Sequence, residues 1–135
     1  MGRFDEALAD YSRAIELDPD NDWLYYLKAL VFFRLSEIST AEKQLRVAIE
    51  LARKAMREND QPGNDSYNLA VYLAAAGRFD ETEDQLAAAL ANYHNQVWIS
   101  EAIDDLRNLS NVREFNVEQV NRLMGILKQG STTNP

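Results

Sequence analysis

The chain of 135 residues has no cysteine and a single histidine, His94. Without cysteine there are no disulfides, thiolate metal sites or Cys nucleophiles, and one imidazole is too few for a histidine metal cage or a catalytic triad. Proline (3) and glycine (5) are scarce, so turn breakers are few and the segments between them are long. Basic residues are outnumbered, 14 against 22 acidic ones, for a net charge of −8. Phosphate backbones are held by cations that displace counterions, so this balance argues against a nucleic-acid partner. No apolar run approaches the roughly 20 residues that span a membrane. The opening Met1-Gly2-Arg3-Phe4-Asp5 lacks signal-peptide features, and Glu6 stands where myristoylation needs Ser or Thr. What is present is a 46% hydrophobic composition, enough to bury a core. The expectation is an acidic, helix-rich, cytoplasmic protein without cofactor or metal.

Self-similarity organises the rest. Gly2-Arg3-Phe4-Asp5-Glu6 recurs as Gly77-Arg78-Phe79-Asp80-Glu81, 75 residues on. Between them lies a third copy: Ala7, Tyr11, Ala14 and Ile15 shift by 34 onto Ala41, Leu45, Ala48 and Ile49, then by 41 onto Thr82, Leu86, Ala89 and Leu90. Small residues meet small ones and large apolar ones meet large, with Thr82 the soft match. The seven extra residues of the second interval are expected near the turn cluster Asn59–Asp65. Twelve residues before Ala41 and Thr82 stand Ala29 and Ala70, inside segments with helical apolar spacing (Leu24, Leu27, Val31, Leu35; Leu69, Leu73, Ala76). Two antiparallel helices approach closely only where small side chains line the contact, and stacked neighbours bury the rest.

This pattern resembles the tetratricopeptide repeat (TPR) family, a 34-residue helix–turn–helix unit with small residues at its eighth, twentieth and twenty-seventh positions. Those places hold Ala29, Ala41 and Ala48, then Ala70, Thr82 and Ala89; Pro19 matches a closing proline. Lys28, Ser36 and Arg53 depart from the usual Leu, turn Gly and closing Pro, and the loss of the last implies a helix running on towards Glu58. The resemblance covers about residues 2–94 and implies an all-α, right-handed αα solenoid. Helices are expected near 3–17, 22–35, 37–58, 65–76, 79–93, 96–109 and 116–128. They divide into a half repeat (1–21), two repeats (22–58 and 64–94), C-terminal capping helices (95–128) and a disordered tail (129–135). Asn116 and Gln119 are placed to form a capping box at the last helix. Aligning Phe115 on Phe4 puts Glu118 and Arg122 where Ala7 and Tyr11 stand, so the last pair is a cap or a degenerate repeat.

The first copy lacks a first helix. Three readings are open: a C-terminal piece of a longer array, an end that pairs with a second copy or another protein through Phe4, Leu8, Tyr11 and Ile15, or a frayed first helix that the fold tolerates. Val97–Leu106 and Asp22–Leu27 are similar to segments of repeat arrays in large bacterial signalling NTPases, which implies a sensor or docking role in a larger protein.

In TPR arrays the first helices line a concave groove. The resemblance carries that role to Trp23, Tyr26, Leu30, Phe33 and Arg34, and to Asn64, Tyr67, Asn68 and Val71. Relatives that clamp acidic chaperone tails use Lys and Asn at set places; Tyr26, Leu30 and Asn64 occupy three of these, and only Asn68 fits. The groove therefore reads as aromatic and apolar, suited to a peptide or amphipathic helix of a protein partner. On that reading Tyr26→Glu weakens binding without unfolding the chain. The competing reading folds Trp23, Tyr26 and Phe33 into the core.

Other features have plainer explanations. Lys43, Arg46, Arg53, Lys54 and Arg57 make a basic strip on one helix, read as a solvated face with pairs such as Glu50–Lys54. Asp18, Asp20 and Asp22 have the start of a calcium-loop pattern, but Trp23 replaces its Gly and Ala29 its Glu. The neighbours Glu83/Asp84 and Asp104/Asp105 splay apart on a helix, and His94 reads as a helix C-terminal residue. A non-catalytic interaction module is the reading that results.

Overall fold

The computed structural model describes residues 2–115 and 117–132, with side chains through 130. Seven helices follow one another among these residues: α1 (Gly2–Leu17), α2 (Asp22–Arg34), α3 (Ile38–Glu58), α4 (Gly63–Ala75), α5 (Phe79–Asn92), α6 (Gln96–Leu109) and α7 (Val117–Thr132). The fold is an all-α solenoid in which α2 packs on α1 and α3, α4 on α3, α5 and α6, and α7 on α5 and α6.

The small residues hold the pairs together. Ala29, Ala41, Ala48, Ala70, Thr82 and Ala89 are all buried. Thr82 fits among the alanines because its Oγ1 donates to the Arg78 carbonyl oxygen at 2.9 Å, so no hydroxyl is left unpaired in the core. α4 is the central element, buried on nearly all sides from Gly63 through Ala75. Its polar Ser66 is satisfied by Gln85, whose Nε2 donates to Ser66 Oγ at 2.8 Å and to its carbonyl at 3.1 Å. Gly63 is obligatory for a different reason: a Cβ there would lie 2.3 Å from the Trp98 ring.

The seven-residue insertion does not lie in the Asn59–Asp65 turn. The link between α1 and α2 and the link between α3 and α4 have the same length, and α3 instead continues from Leu51 to Glu58. Seven residues are close to two helical turns, so the added segment keeps the same face inward.

The two inter-helix turns of the repeats are superimposable in chemistry. Ser36 (φ 62°) and Gly77 (φ 79°) occupy equivalent places in the left-handed region. Ser36 N–H donates to Phe33 O and Glu37 N–H to Phe32 O; Gly77 N–H donates to Ala74 O and Arg78 N–H to Leu73 O. These are Schellman motifs, which close a helix through one left-handed residue.

α7 departs from the repeat pattern in the face that it buries. Val120, Leu123 and Leu127 are buried, whereas Glu118 and Arg122, the positions equivalent to Ala7 and Tyr11, are exposed. A different face of the helix thus meets the core. The tail expected from residue 129 is helical through Thr132, and residues 133–135 lie outside the described residues, as does Asn116 of the expected capping box. His94 is beyond the end of α5, and its Nε2 donates to the Gly130 carbonyl at 2.6 Å, so it serves the C-terminal turn of α7 rather than of its own helix. Lys54 pairs with Asp20 at 3.9 Å, not with Glu50.

Ser36 pays the left-handed strain that Gly77 avoids. Ser36→Gly is expected to stabilise the chain by about 1 kcal/mol, and Gly77→Ala to destabilise it by a similar amount. Urea denaturation of both variants checks the pair.

Candidate functional site

Asn21 and Asn95 cap α2 and α6, their Oδ1 atoms accepting from Trp23 N (3.1 Å) and Trp98 N (3.0 Å). Each cap fixes where its helix begins and aims the following side chains. The openings of α2 and α4 come together beside α6. They enclose a notch of about 390 Å³ lined by Trp23, Asn64 and Asn68 and by four acids: Asp22, Asp65, Glu101 and Asp105. None of the four acids has an ion-pair partner among the described residues.

The floor of the notch is aromatic. Tyr26 lies 4.9 Å from Trp23 and 5.1 Å from Tyr72, centroid to centroid. The Tyr72 hydroxyl donates to Asp22 Oδ2 at 2.6 Å, tying α4 to the start of α2. Burial raises the Asp22 carboxyl above the usual range; the Tyr72 hydrogen bond opposes the shift and the Asp65 charge adds to it. Asp105 is pushed up to about 6, first by burial and then by the charges of Glu101 and Asp104. Burial also raises the phenols of Tyr26 and Tyr72, with further push from Asp105 on the first and Asp22 on the second.

The residues expected to form an apolar groove separate into three places. Tyr26, Phe33, Tyr67 and Val71 are in the core, none more than 4% exposed. Tyr26 is covered by Trp23 and Tyr72, Tyr67 donates to the Tyr93 carbonyl at 2.7 Å, and Phe33 sits under the Arg113 guanidinium at 4.7 Å. Tyr72 of α4 closes over Tyr26, Trp98 of α6 lies against Tyr67 and Arg113 covers Phe33, so the aromatic groove is corrected to an aromatic floor. Leu30 and Arg34 lie elsewhere, lining a groove between α1 and α2. Trp23 and Asn68 remain at the notch, joined by Asn64.

The acids of the notch were the missed residues. Asp104 and Asp105 splay as adjacent helical residues do: Asp104 is exposed and bonded to Arg107 at 3.2 Å, while Asp105 turns to the notch. The signal was the deep charge imbalance of residues 60–105, which hold nine acids and one base.

The repeat register, the equivalent left-handed turns and the buried small positions coincide with matches to known proteins. A family model described as TPR repeat matches residues 1–36. The match falls on α1 and α2, which are similar to a TPR repeat. Stress-induced-phosphoprotein 1 of Caenorhabditis elegans is 28% identical over 94 residues, 70% of this chain and 27% of the worm protein. RNA polymerase II-associated protein 3 of Xenopus laevis is 40% identical over 52 residues, 38% of this chain and 8% of the frog protein. The chain thus spans about a quarter, or less than a tenth, of these curated relatives. No solved structure matches it significantly. TPR arrays in general mediate protein–protein interaction. No described helix is long and apolar enough to cross a membrane.

Two outcomes follow from burial. Tyr26→Glu places a charge in the core and is expected to destabilise the chain by about 3 kcal/mol or more, visible as a collapsed melting curve. Asp105 holds its proton more tightly in the folded chain than in the unfolded one, so stability falls as pH rises from about 4 to about 6 and the penalty persists above. Asp105→Asn is expected to add on the order of 1 kcal/mol at pH 7, allowing for the water that reaches the carboxylate, and nothing at about pH 4. Urea titrations at the two pH values check it.

Proposed function

We propose that this TPR-like array recognises a protein partner through the notch of α2, α4 and α6, and that the segment bound there presents lysine or arginine. The observation that carries the reading is four carboxylates lining one concavity, with no cation in its lining among the described residues. The helix dipole accounts for Asp22 and Asp65, which stand in the first turns of α2 and α4. It does not account for Glu101 and Asp105, which are one turn apart on α6, where like charges repel. Retaining both, one of them half-buried, opposes folding and favours a cationic ligand. A concave wall of one sign also concentrates field lines and speeds encounter with the opposite charge.

A metal ion is the weaker use of these groups. Among the described residues no set of three or more His, Asp or Glu is close enough to hold one ion. Spread carboxylates with Asn64 and Asn68 between them suit an extended backbone carrying separate charges, the amides bonding to main chain. Trp23 offers a ring face for a guanidinium or ammonium. The partial likeness to a protein named as associating with RNA polymerase II supports a protein partner in general terms. The notch also opposes any acidic tail, which agrees with the mismatch at Tyr26, Leu30 and Asn64. Within this reading the chain acts as a non-catalytic adaptor.

Calorimetric titration with a Lys/Arg-rich peptide and a Glu-rich peptide of equal length tests it. The basic peptide is expected to bind, more weakly as salt rises, and more tightly between pH 5 and 7 as Asp105 ionises. Glu101→Gln with Asp105→Asn is expected to lower its affinity about tenfold or more. Equal binding of the two peptides, or indifference to the double variant, contradicts the proposal.

A further inference from the structure

Outside the notch, Phe4 and Tyr11 line the groove between α1 and α2, while Leu8 and Ile15, expected to share in self-association with them, are half-buried and do not. The outer face of α3 carries a charge pattern of its own. On a helix of about 3.6 residues per turn, Lys43, Arg46, Arg53, Lys54 and Arg57 fall within roughly 100° of arc. They lie opposite the buried Ala41, Leu45, Ala48 and Ala52. Glu50 is the one acid in that arc, and the strip is about 21 Å long. Arg53 is half-buried and the other four bases are exposed. Among the described residues Lys54 alone of the five has an ion-pair partner, Asp20 at 3.9 Å.

Neither the repeat nor the helix explains this strip. Lys43 and Arg46 stand where α1 has Ala9 and Ser12 and α5 has Asp84 and Ala87, so the repeat pattern does not call for bases there. Arg53, Lys54 and Arg57 lie in the added segment that α1 and α5 lack. The helix dipole accounts for Arg57 in the last turn, but not for Arg46 in mid-helix. Like charges one turn apart, as at Arg53 and Arg57, repel. Glu50 lies one turn from Arg46, Arg53 and Lys54 and forms an ion pair with none of them.

Apolar surface flanks the strip on both sides. Arg46 and Arg78 border a pocket of about 240 Å³ over Leu45, Ile49 and Ala76. Its one acid, Glu42, is engaged by Arg113 at 3.8 Å. On the other flank Val47 is 38% exposed. The arginines already hold one carboxylate. Glu81 accepts from Arg78 Nη2 at 3.0 Å, and that bond lowers its carboxyl below the usual range, with the charges of Arg78 and Arg53 adding to the shift. We propose that this face docks an acidic segment of a partner protein, its carboxylates against Arg46, Arg53 and Arg57 and one apolar side chain in the pocket between Arg46 and Arg78. Guanidinium forks match carboxylates through paired hydrogen bonds. A phosphate backbone would extend past a strip of this length onto a chain of net charge −8, and it offers no apolar group to the pocket. None of these residues lines the notch, so the inference stands apart from the reading given for it.

Fluorescence anisotropy with a labelled Glu/Leu peptide of about 14 residues, the length of the strip, tests the docking. The peptide is expected to bind in the micromolar range, and one with Ser in place of Leu about tenfold more weakly. Arg46→Glu, at an exposed position, is expected to weaken binding about tenfold with the helical circular-dichroism signal unchanged. Glu50→Gln is expected to strengthen it about threefold, a gain that no loss of folding would mimic. Glu101→Gln with Asp105→Asn, both in the notch, is expected to leave it no weaker. No binding up to about 1 mM, or binding indifferent to Arg46→Glu and Glu50→Gln, overturns the inference. Equal affinity of the Leu and Ser peptides, or tighter binding of a DNA duplex, also overturns it, since either marks a general attraction for anions. Self-association of the free chain that Arg46→Glu abolishes assigns the strip to a second copy instead, and overturns it as well.

Discussion

Close approach of paired helices through small side chains is the constraint on which this molecule rests. Each repeat places Ala or Thr where two helices cross, and every such position in α2 to α5 is sealed from water. A side chain larger by a few methylenes at one of them forces the pair apart. Because α4 is walled on three sides by α3, α5 and α6, displacement there would move both the aromatic floor and the acids above it. The Schellman turns at Ser36 and Gly77 then fix how far one helix of a pair slides along the other.

The candidate site depends on that packing in a specific way. Trp23, Tyr26 and Tyr72 form a cluster of mutually tilted rings, and the Tyr72–Asp22 hydrogen bond couples the cluster to the notch. The aromatics therefore act as support, and the charged groups at the helix openings face the concavity. Burial of the floor lowers the local polarity around Asp105 and Asp22 and raises both carboxyls. The same low polarity strengthens any attraction to a cation brought into the notch.

Most of the fold was legible because it repeats. The shifts of 34 and 41 located the helices, and the lost proline at Arg53 correctly implied a longer α3. The insertion was misplaced because a turn cluster at Asn59–Asp65 is a strong local signal, whereas two extra helical turns leave no mark in the pattern beyond continued periodicity. The site was less legible. Position in the family pattern placed Trp23, Asn64 and Asn68 at the concave face, but it could not distinguish a tyrosine that lines a groove from one that neighbouring helices cover. Tyr26 and Tyr67 are equivalent residues and both are buried, the first under Trp23 and Tyr72 and the second against Trp98 of α6. Glu101 and Asp105 lie past the recognisable repeats, where no register assigned them a face.

The central claim is that the concave face is acidic above a closed aromatic floor. It is tested most directly by following amide and side-chain resonances of the ¹⁵N-labelled chain while a Lys/Arg-rich peptide is added. The account predicts shifts at the Trp23 indole N–H, at the side-chain amides of Asn64 and Asn68, and along the face of α6 carrying Glu101 and Asp105. Shifts confined to the α1–α2 groove or to the outer face of α3, with the notch silent, would contradict it.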